Sequence, residues 1–192
     1  MREMICMGDS LVYGHIVDRD KCWVSLLSDR TGIKTYNYGM NGETTPDLLK
    51  RFDRQVPGNT KAGELFLLAG INDFIFLKCR VYDTVNNLLY MVRKAQAQGL
   101  KVYLSTITPM IPDMLPDMWR EPVEKNDVLK KREELNLWIR QQKECVDMEK
   151  AVLGSDGAPR RELYIEGLHL NEKGHRVFEE YLEGKVRQDG QP

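Results

Sequence analysis

The sequence predicts an α/β fold, a three-layer α/β/α sandwich with a five-stranded parallel sheet. Two observations predict it: five short apolar runs follow one another along the chain, and amphipathic helical segments separate them. Such runs are typical of strands buried on both faces, and a parallel sheet buried in this way needs helices on both sides. Right-handed crossovers between successive parallel strands then give three layers.

The five predicted strands are short and mostly apolar. The second run is β-branched and aromatic, and these residue types favour strands. The strands are predicted at residues 4–8 (MICMG), 33–39 (IKTYNYG), 64–70 (ELFLLAG), 101–109 (KVYLSTITP) and 145–152 (CVDMEKAV).

Two of the predicted helices are marked by the residues at their ends. The helix in residues 22–32 stops at Gly32, because glycine readily adopts the left-handed conformation that ends a helix. In residues 44–56, Thr45 stands in a capping position and Pro46 at the first helical position. These residue types at these places predict where both helices begin or end.

Three further helices are predicted from their periodicity, in residues 82–99, 125–143 and 171–187. The first of them ends at Gly99. The inward-facing side chains are predicted to be Val85, Leu88, Leu89, Val92 and Ala95 in the first, and Val177, Phe178, Tyr181 and Leu182 in the last.

Length and composition narrow the possible classes of protein. A chain of 192 residues is expected to form one domain, residues 1–192. Its 28 basic and 29 acidic side chains give a net charge of −1, so neither nucleic acid nor an anionic membrane is an expected partner. The sequence has no secretory-signal pattern and no run of about 18 apolar residues, so we predict a cytoplasmic protein without a membrane span. The four cysteines are far apart, which favours reduced thiols.

Polar residues and glycines follow four of the predicted strands. In parallel α/β sheets, functional sites form outside the carboxyl ends of the strands, so these residues are expected to lie together. They are Gly8, Asp9 and Ser10 at or after the carboxyl end of the first strand, Asn37, Gly39 and Gly42 at or after that of the second, Gly70, Asn72 and Asp73 at or after that of the third, and Glu166 and His169 after the fifth.

A serine, a histidine and a carboxylate in this set meet the needs of ester hydrolysis. Ser10 is the candidate nucleophile and His169 the candidate base, because a serine hydroxyl without a base is a weak nucleophile. Glu166, three residues before the histidine, is the candidate group that orients the imidazole. The oxyanion hole is predicted from the backbone N–H groups of Ser10 and Gly39 and the side-chain amide of Asn72. Glycine at position 39 would let the backbone approach a substrate closely.

Four blocks of the sequence resemble those of one enzyme family. "GDSL" at 8–11, the segment around Gly39, "GIND" at 70–73 and "EGLHLNEKGH" at 166–175 look like the four blocks of the SGNH, or GDSL, hydrolases, in the right order over essentially the whole chain. The resemblance implies a flavodoxin-like sandwich and a Ser–His–acid esterase without metal or cofactor. Members of the family cleave carboxylic esters and thioesters, including acetylated sugars, lysophospholipids and acyl thioesters.

One position departs from the family's pattern. The family usually has Asp three residues before the histidine, whereas this chain has Glu166, whose extra methylene shifts the carboxylate. Glu serves as the triad acid in some other serine hydrolases, so we predict that role for Glu166. Two alternatives stay open: a Ser–His dyad steadied by a backbone carbonyl, and another acid such as Asp156.

Four neighbouring polar residues are interpreted separately. Asp9 is expected to hold the turn before the serine, and Asp73 to cap the segment that follows it. His175, on the last helix, is expected to be structural. His15 lies five residues after Ser10 and either lines the pocket or is exposed.

Residues 109–125 (PMIPDMLPDMWREPVEK) form the one irregular segment. Their four prolines exclude a regular helix throughout. For Met110, Met114, Met118 and Trp119 three interpretations stay open: a flexible acyl-binding lip, a partner interface, or ordinary loop packing.

These residues together predict a serine esterase that hydrolyses a small-molecule ester or thioester through an acyl-enzyme on Ser10. Thioesterase, lysophospholipase and carbohydrate deacetylase stay open within this class. Two other classes are a non-catalytic module that holds an acyl ligand and a nucleotide or flavin binder. The intact Ser10, Asn72 and His169 argue against the first, and the lack of a Gly/Ser/Thr run in the first loop argues against the second.

Overall fold

The computed structural model describes residues 2–56, 62–116 and 125–188. Its strands are β1 (Glu3–Gly8), β2 (Lys34–Gly39), β3 (Glu64–Leu68), β4 (Lys101–Ser105) and β5 (Cys145–Val146). Its α-helices are α1 (Ser10–Tyr13), α2 (Trp23–Thr31), α3 (Thr45–Gln55), α4 (Ile71–Phe76), α5 (Val81–Ala97), α6 (Lys125–Arg140) and α7 (Glu172–Gln188). Short 3₁₀ turns lie at Arg19–Lys21, Pro112–Met114, Met148–Val152 and Arg161–Leu163.

The strands form one parallel sheet in the order β2-β1-β3-β4-β5. In the register of β1 with its two neighbours, Gly8 of β1 pairs with Gly39 of β2 and with Leu68 of β3. The carboxyl ends of these strands therefore lie at one level. This alignment brings the loops after β1, β2 and β3 to a common edge, where sites form in sheets of this kind.

Helices cover both faces of the sheet. On one face, Trp23 of α2 packs its ring 4.9 Å from that of Phe66 in β3 and 5.2 Å from that of Phe178 in α7. Because successive side chains of a strand point to opposite faces, Leu65 and Leu67 point to the other side, and they are fully buried too. The predicted three-layer α/β/α sandwich with a five-stranded parallel sheet is confirmed.

The fifth strand is much shorter than predicted. It is confined to Cys145–Val146, whereas an apolar run to residue 152 was predicted as strand, and the chain then turns into a 3₁₀ helix. The N–H of Glu149 bonds to the hydroxyl of Thr106 at 2.9 Å, and its carboxylate accepts from Arg132 at 2.7 Å and from Arg140. These contacts take the backbone out of the sheet ladder.

Helix α3 begins at Thr45, one residue earlier than predicted. Thr44 is the N-cap, in a capping box with Asp47, so Thr45 is the first helical residue and Pro46 the second. Thr45 is engaged elsewhere, because its N–H donates to the carboxylate of Asp73 at 2.7 Å. Asp73 also accepts from the Thr84 hydroxyl at 2.8 Å, so its side chain joins α3 to α5. The prediction that Asp73 caps the segment after it is therefore wrong.

The irregular segment after β4 is described as far as residue 116. It contains the 3₁₀ turn Pro112–Met114 rather than a regular helix. Met110 is buried in the core and Met114 packs against the core half-buried, which favours loop packing for these two. Met118 and Trp119 lie outside the described residues.

Candidate active site

Ser10 lies two residues after the end of β1 and is the first residue of helix α1. Asp9 is the N-cap of that helix, and its carboxylate accepts the N–H of Leu11 at 2.9 Å. The N–H of Ser10 has no acceptor within its own helix, because the first N–H groups of any helix lack one. The serine is buried, with 5% of its surface exposed. The end of β1 and the capped start of α1 therefore fix the position of Ser10, with its backbone N–H and its hydroxyl.

Asp9 is fully buried beside the serine. Burial raises the pKa of its carboxyl to about 7, although the hydrogen bond from Leu11 and the nearby His169 oppose the shift. One of its oxygens, Oδ2, has no hydrogen-bond partner among the described residues. These contacts agree with the predicted structural role, which is to hold the turn before Ser10.

His169 reaches Ser10 from the loop that precedes α7. Its Nε2 lies 2.9 Å from Oγ of Ser10, and its Nδ1 contacts Oε1 of Glu166. With the Nδ1 proton facing the carboxylate, Nε2 is left to accept the serine hydroxyl. The three predicted side chains therefore form one continuous hydrogen-bonded chain.

The extra methylene of Glu166 is accommodated by folding its side chain back over its own loop. The carboxylate accepts the N–H of Leu168 at 3.2 Å and that of His169 at 3.1 Å, in addition to its contact with the imidazole. Burial opposes the charge of this carboxylate, but the hydrogen bonds from His169 and the two backbone groups outweigh burial, and the pKa of Glu166 is lowered. A glutamate thus meets the imidazole here despite its greater length.

Gly167 allows this tight turn. Its φ is +80°, and a Cβ at this position would stand 2.4 Å from the carbonyl oxygen of Ile111. The carbonyl of Gly167 in turn accepts the N–H of Ile111 at 2.6 Å. The irregular segment after β4 therefore holds the loop that carries Glu166 and His169 in place.

Asn72 is the second residue of α4, and only 3% of its surface is exposed. Its Nδ2 donates one hydrogen bond to the carbonyl of Glu43 at 2.9 Å. An amide nitrogen carries two hydrogens, so this bond orients the second one. The side chain of Asn72 lines the same cavity as Ser10 and His169.

Gly39 does not lie in this cavity, contrary to the predicted oxyanion role. Its N–H donates to the side chain of Asn37 at 2.9 Å. It is the last residue of β2 and packs against α1 so closely that a Cβ would stand 2.1 Å from the nitrogen of Tyr13. Glycine is required at this position by the packing of a strand against a helix.

Gly42, three residues further along the same loop, lines the cavity instead, together with Asn41. Its position follows from the pairing of β2, because Gly39 is still opposite Gly8 in the sheet and only later residues are free to turn toward the serine. The signal in the sequence is the second glycine of "NYGMNG", just before the cap of α3.

The cavity has a volume of about 240 Å³. Its lining combines the candidate reacting groups with two apolar side chains and consists of Ser10, His15, Asn41, Gly42, Asn72, Phe76, Leu168 and His169. His15 therefore lines the pocket, and its ring centre lies 4.6 Å from that of His169 with an interplanar angle of 55°. Burial and the neighbouring imidazole lower the pKa of His15.

His175 has the structural role that was predicted. It is 2% exposed, and its Nδ1 accepts the N–H of Trp23 at 3.3 Å, at the start of α2. Burial lowers the pKa of His175 to about 4. The other candidate acid, Asp156, is exposed and accepts the N–H of Ala158 at 3.0 Å, so it stabilises a local turn.

A parallel sheet that carries a serine–histidine–carboxylate chain at its carboxyl edge is an arrangement that α/β hydrolytic enzymes use. Residues 6–177 match the model of the GDSL-like lipase/acylhydrolase family. The chain therefore belongs to that family. The resemblance of its four sequence blocks is confirmed.

Two solved structures are similar to nearly the whole chain. The lipase/acylhydrolase from Enterococcus faecalis has a TM-score of 0.75 and 22% identity, covering 100% of this chain and 98% of that one. Est24, a carbohydrate acetylesterase from Sinorhizobium meliloti, has a TM-score of 0.78 and 19% identity, covering 98% and 99%. At these identities the likeness concerns the fold.

A sequence relative is the lipoprotein YqeF of Bacillus subtilis (strain 168), 32% identical over 121 residues. The match covers 57% of this chain and 49% of the relative, so it spans about half the length of YqeF. Because this relative is a lipoprotein, the cytoplasmic location stays a prediction. In the described part of the chain, no helix has the length and apolar character needed to cross a membrane.

Proposed function

We propose that this chain is a serine esterase that forms an acyl-enzyme on Ser10. The observation that carries the proposal is the hydrogen-bonded chain Ser10–His169–Glu166, which opens into the cavity through the serine hydroxyl. Its order of groups is nucleophile, base and orienting acid, as acyl transfer by serine requires.

In the first step, Oγ of Ser10 attacks the carbonyl carbon of the ester and its proton passes to Nε2 of His169. The carboxylate of Glu166 stabilises the imidazolium that forms. The tetrahedral intermediate then collapses: the bond to the leaving alcohol or thiol breaks, and the leaving group takes the proton from Nε2. The acyl group stays on Ser10.

In the second step, water loses a proton to Nε2 of His169 and attacks the acyl carbon. The bond to Oγ of Ser10 breaks, the serine recovers its proton, and the acid leaves. Both steps use the imidazole as base and then as acid, so the single contact between His169 and Ser10 serves the whole cycle.

The oxyanion formed in each step is stabilised by three donors. They are the N–H of Ser10 at the start of α1, the second hydrogen of the Asn72 amide, and the N–H of Gly42 in place of that of Gly39. Support comes from the lining of the cavity, which includes Ser10, Gly42 and Asn72. One such donor contributes on the order of 3 kcal/mol to transition-state stabilisation.

The size of the cavity favours a small acyl group. Sites for drug-sized ligands run from about 300 to 1,000 Å³, and the cavity here is smaller, at about 240 Å³. Est24, which has the same fold, is a carbohydrate acetylesterase. An acetyl ester is therefore the first substrate to test.

The test is hydrolysis of p-nitrophenyl acetate by the wild type and by Ser10→Ala. We expect the wild type to turn over the ester and to be labelled at Ser10 by an organophosphonate, and the variant to lose both properties while its circular dichroism is unchanged. Ser28→Ala on α2 is the matched control and keeps full activity. Retained turnover in Ser10→Ala excludes the nucleophile, and a wild type that binds but does not cleave esters supports the non-catalytic class.

A further inference from the structure

Arg51 is a buried arginine of α3 whose guanidinium lies at the carboxyl ends of β1 and β2. Its side chain is 8% exposed. Its Nη2 donates to the carbonyl of Tyr38 at 2.8 Å and more weakly to that of Gly8 at 3.4 Å. Gly8 is two residues before Ser10, so this one side chain contacts the ends of the two strands from which the nucleophile and the Gly42 loop depart.

The charge of Arg51 is compensated by Glu43, the residue after Gly42. The Nε of Arg51 lies 2.9 Å from both carboxylate oxygens of Glu43, and Nη2 contacts Oε2 as well. Nη1 donates to Gln55 at 2.6 Å. A guanidinium held in this way has little freedom to move, because several planar hydrogen bonds fix its orientation.

The same residue, Glu43, also holds the amide of Asn72. Its backbone carbonyl accepts Nδ2 of Asn72 at 2.9 Å, while its side chain is bound to Arg51. The ion pair is therefore connected to two of the proposed oxyanion donors. It reaches Gly42 through the adjacent peptide bond, and Asn72 through one hydrogen bond.

We propose that the Arg51–Glu43 ion pair is a positioning device for the oxyanion hole, setting the N–H of Gly42 and the amide of Asn72 at their distance from Ser10. This inference rests on the proposed function. Neither side chain is in the lining of the cavity, so the pair acts through the groups that it holds. Misplacing such donors weakens only the binding of the transition state, which predicts a loss in kcat without a comparable change in KM.

The experiment compares matched carboxylate variants. Glu43→Gln removes the charge but keeps the backbone carbonyl that orients Asn72. Glu64→Gln is the control, because Glu64 also pairs with an arginine, Arg2, at 2.6 Å. The side chain of Glu64 is 11% exposed, close to the 14% of Glu43. Glu64 is the first residue of β3, so it lies at the end of the sheet opposite to Ser10. Both variants remove a partly buried ion pair, so both are expected to lose stability in urea unfolding.

With p-nitrophenyl acetate, we expect Glu43→Gln and Arg51→Met to lower kcat by about tenfold to a hundredfold with KM changed less than about threefold. Arg51→Lys is not expected to restore kcat, since an ammonium cannot reproduce the planar fork. Glu64→Gln and Arg2→Met are expected to keep the kcat of the wild type. If Arg51→Met does not fold, the kcat of Glu43→Gln alone tests the positioning role.

A double-mutant cycle links the effect to Asn72. In the Asn72→Ala background, the loss caused by Glu43→Gln is expected to shrink by at least about threefold, because one of the donors it positions is already gone. Additive losses overturn the coupling to Asn72. An active wild type whose Glu43 and Arg51 variants keep the kcat of the controls overturns the positioning role alone, whereas an inactive wild type with an unlabelled Ser10 overturns the proposed function as well.

Discussion

Nε2 of His169 lies 2.9 Å from Oγ of Ser10, although 159 positions separate the two residues along the chain. The contact depends on two separate parts of the fold. The carboxyl end of β1 positions the serine, and the loop before α7 positions the histidine. That loop is held from a third direction by the hydrogen bond between Ile111 and Gly167, at 2.6 Å. The meeting of the two side chains is therefore a property of the tertiary structure, and each further prediction about activity depends on it.

Glu166→Gln is expected to lower kcat for p-nitrophenyl acetate by about 10³-fold or more. The amide cannot stabilise an imidazolium, and by donating to Nδ1 it favours the wrong tautomer of His169; a comparable change in a serine protease costs about 10⁴-fold. Steady-state kinetics at fixed pH measure the loss.

The matched control for this variant is Asp156→Asn, which changes an exposed carboxyl in a turn and is expected to keep the kcat of the wild type. An undiminished kcat in Glu166→Gln would assign catalysis to a Ser–His dyad. A loss of kcat in Asp156→Asn would return that acid to consideration.

The strands and the positions of Ser10, Glu166 and His169 could be predicted from the sequence because their signals are local. An apolar run marks a buried strand, and the polar residue that follows marks its carboxyl end. The predicted fifth strand is too long, because the real strand ends where a distant hydrogen bond forms, from the N–H of Glu149 to the hydroxyl of Thr106. No local pattern reports such a partner.

The glycine that lines the cavity could not be identified from the sequence for a related reason. Two glycines occur in "NYGMNG", and the sequence does not say which one still pairs in the sheet. Gly39 does, opposite Gly8. The buried ion pair of Arg51 and Glu43 could not be predicted either, because a charged side chain is ordinarily assigned to the surface.

The two glycines are expected to respond differently to alanine. Gly39→Ala places a methyl group 2.1 Å from the backbone nitrogen of Tyr13, so the free energy of unfolding is expected to fall by about 3 kcal/mol or more. At Gly42 an added methyl group would meet no atom of the described residues within 4 Å, but the backbone has φ +74°, so Gly42→Ala is expected to lose about 1 to 2 kcal/mol. Urea unfolding of both variants measures the difference, and equal losses would contradict the packing role of Gly39.

The chain length of the acyl group is expected to limit turnover. Because the cavity holds about 240 Å³, kcat/KM for p-nitrophenyl acetate is expected to exceed that for p-nitrophenyl decanoate by at least about tenfold, with both esters below their aggregation limits. Phe76→Ala, which removes an aromatic wall of the cavity, is expected to narrow the ratio. A preference of the wild type for the decanoate would contradict the small-acyl proposal.

His175 is expected to make the stability of the protein depend on pH. Burial lowers its pKa to about 4 in the folded chain, whereas an imidazole in an unfolded chain titrates near about 6.5. Between these values the unfolded state binds a proton that the folded state does not, so stability is fully present above about pH 6.5 and is lost as the pH falls toward 4, by about 1.4 kcal/mol per pH unit.

His175→Gln removes this titration and leaves an amide oxygen that can accept the N–H of Trp23. We therefore expect the wild type to lose about 2 kcal/mol more than the variant when urea unfolding at pH 7 is compared with unfolding at pH 5. All other ionisable groups are the same in the two proteins, so their contributions largely cancel in the comparison. Equal losses in the two proteins would mean that His175 is protonated in the folded state at pH 5. The assignment of His175 as a neutral acceptor for the N–H of Trp23 would then be wrong.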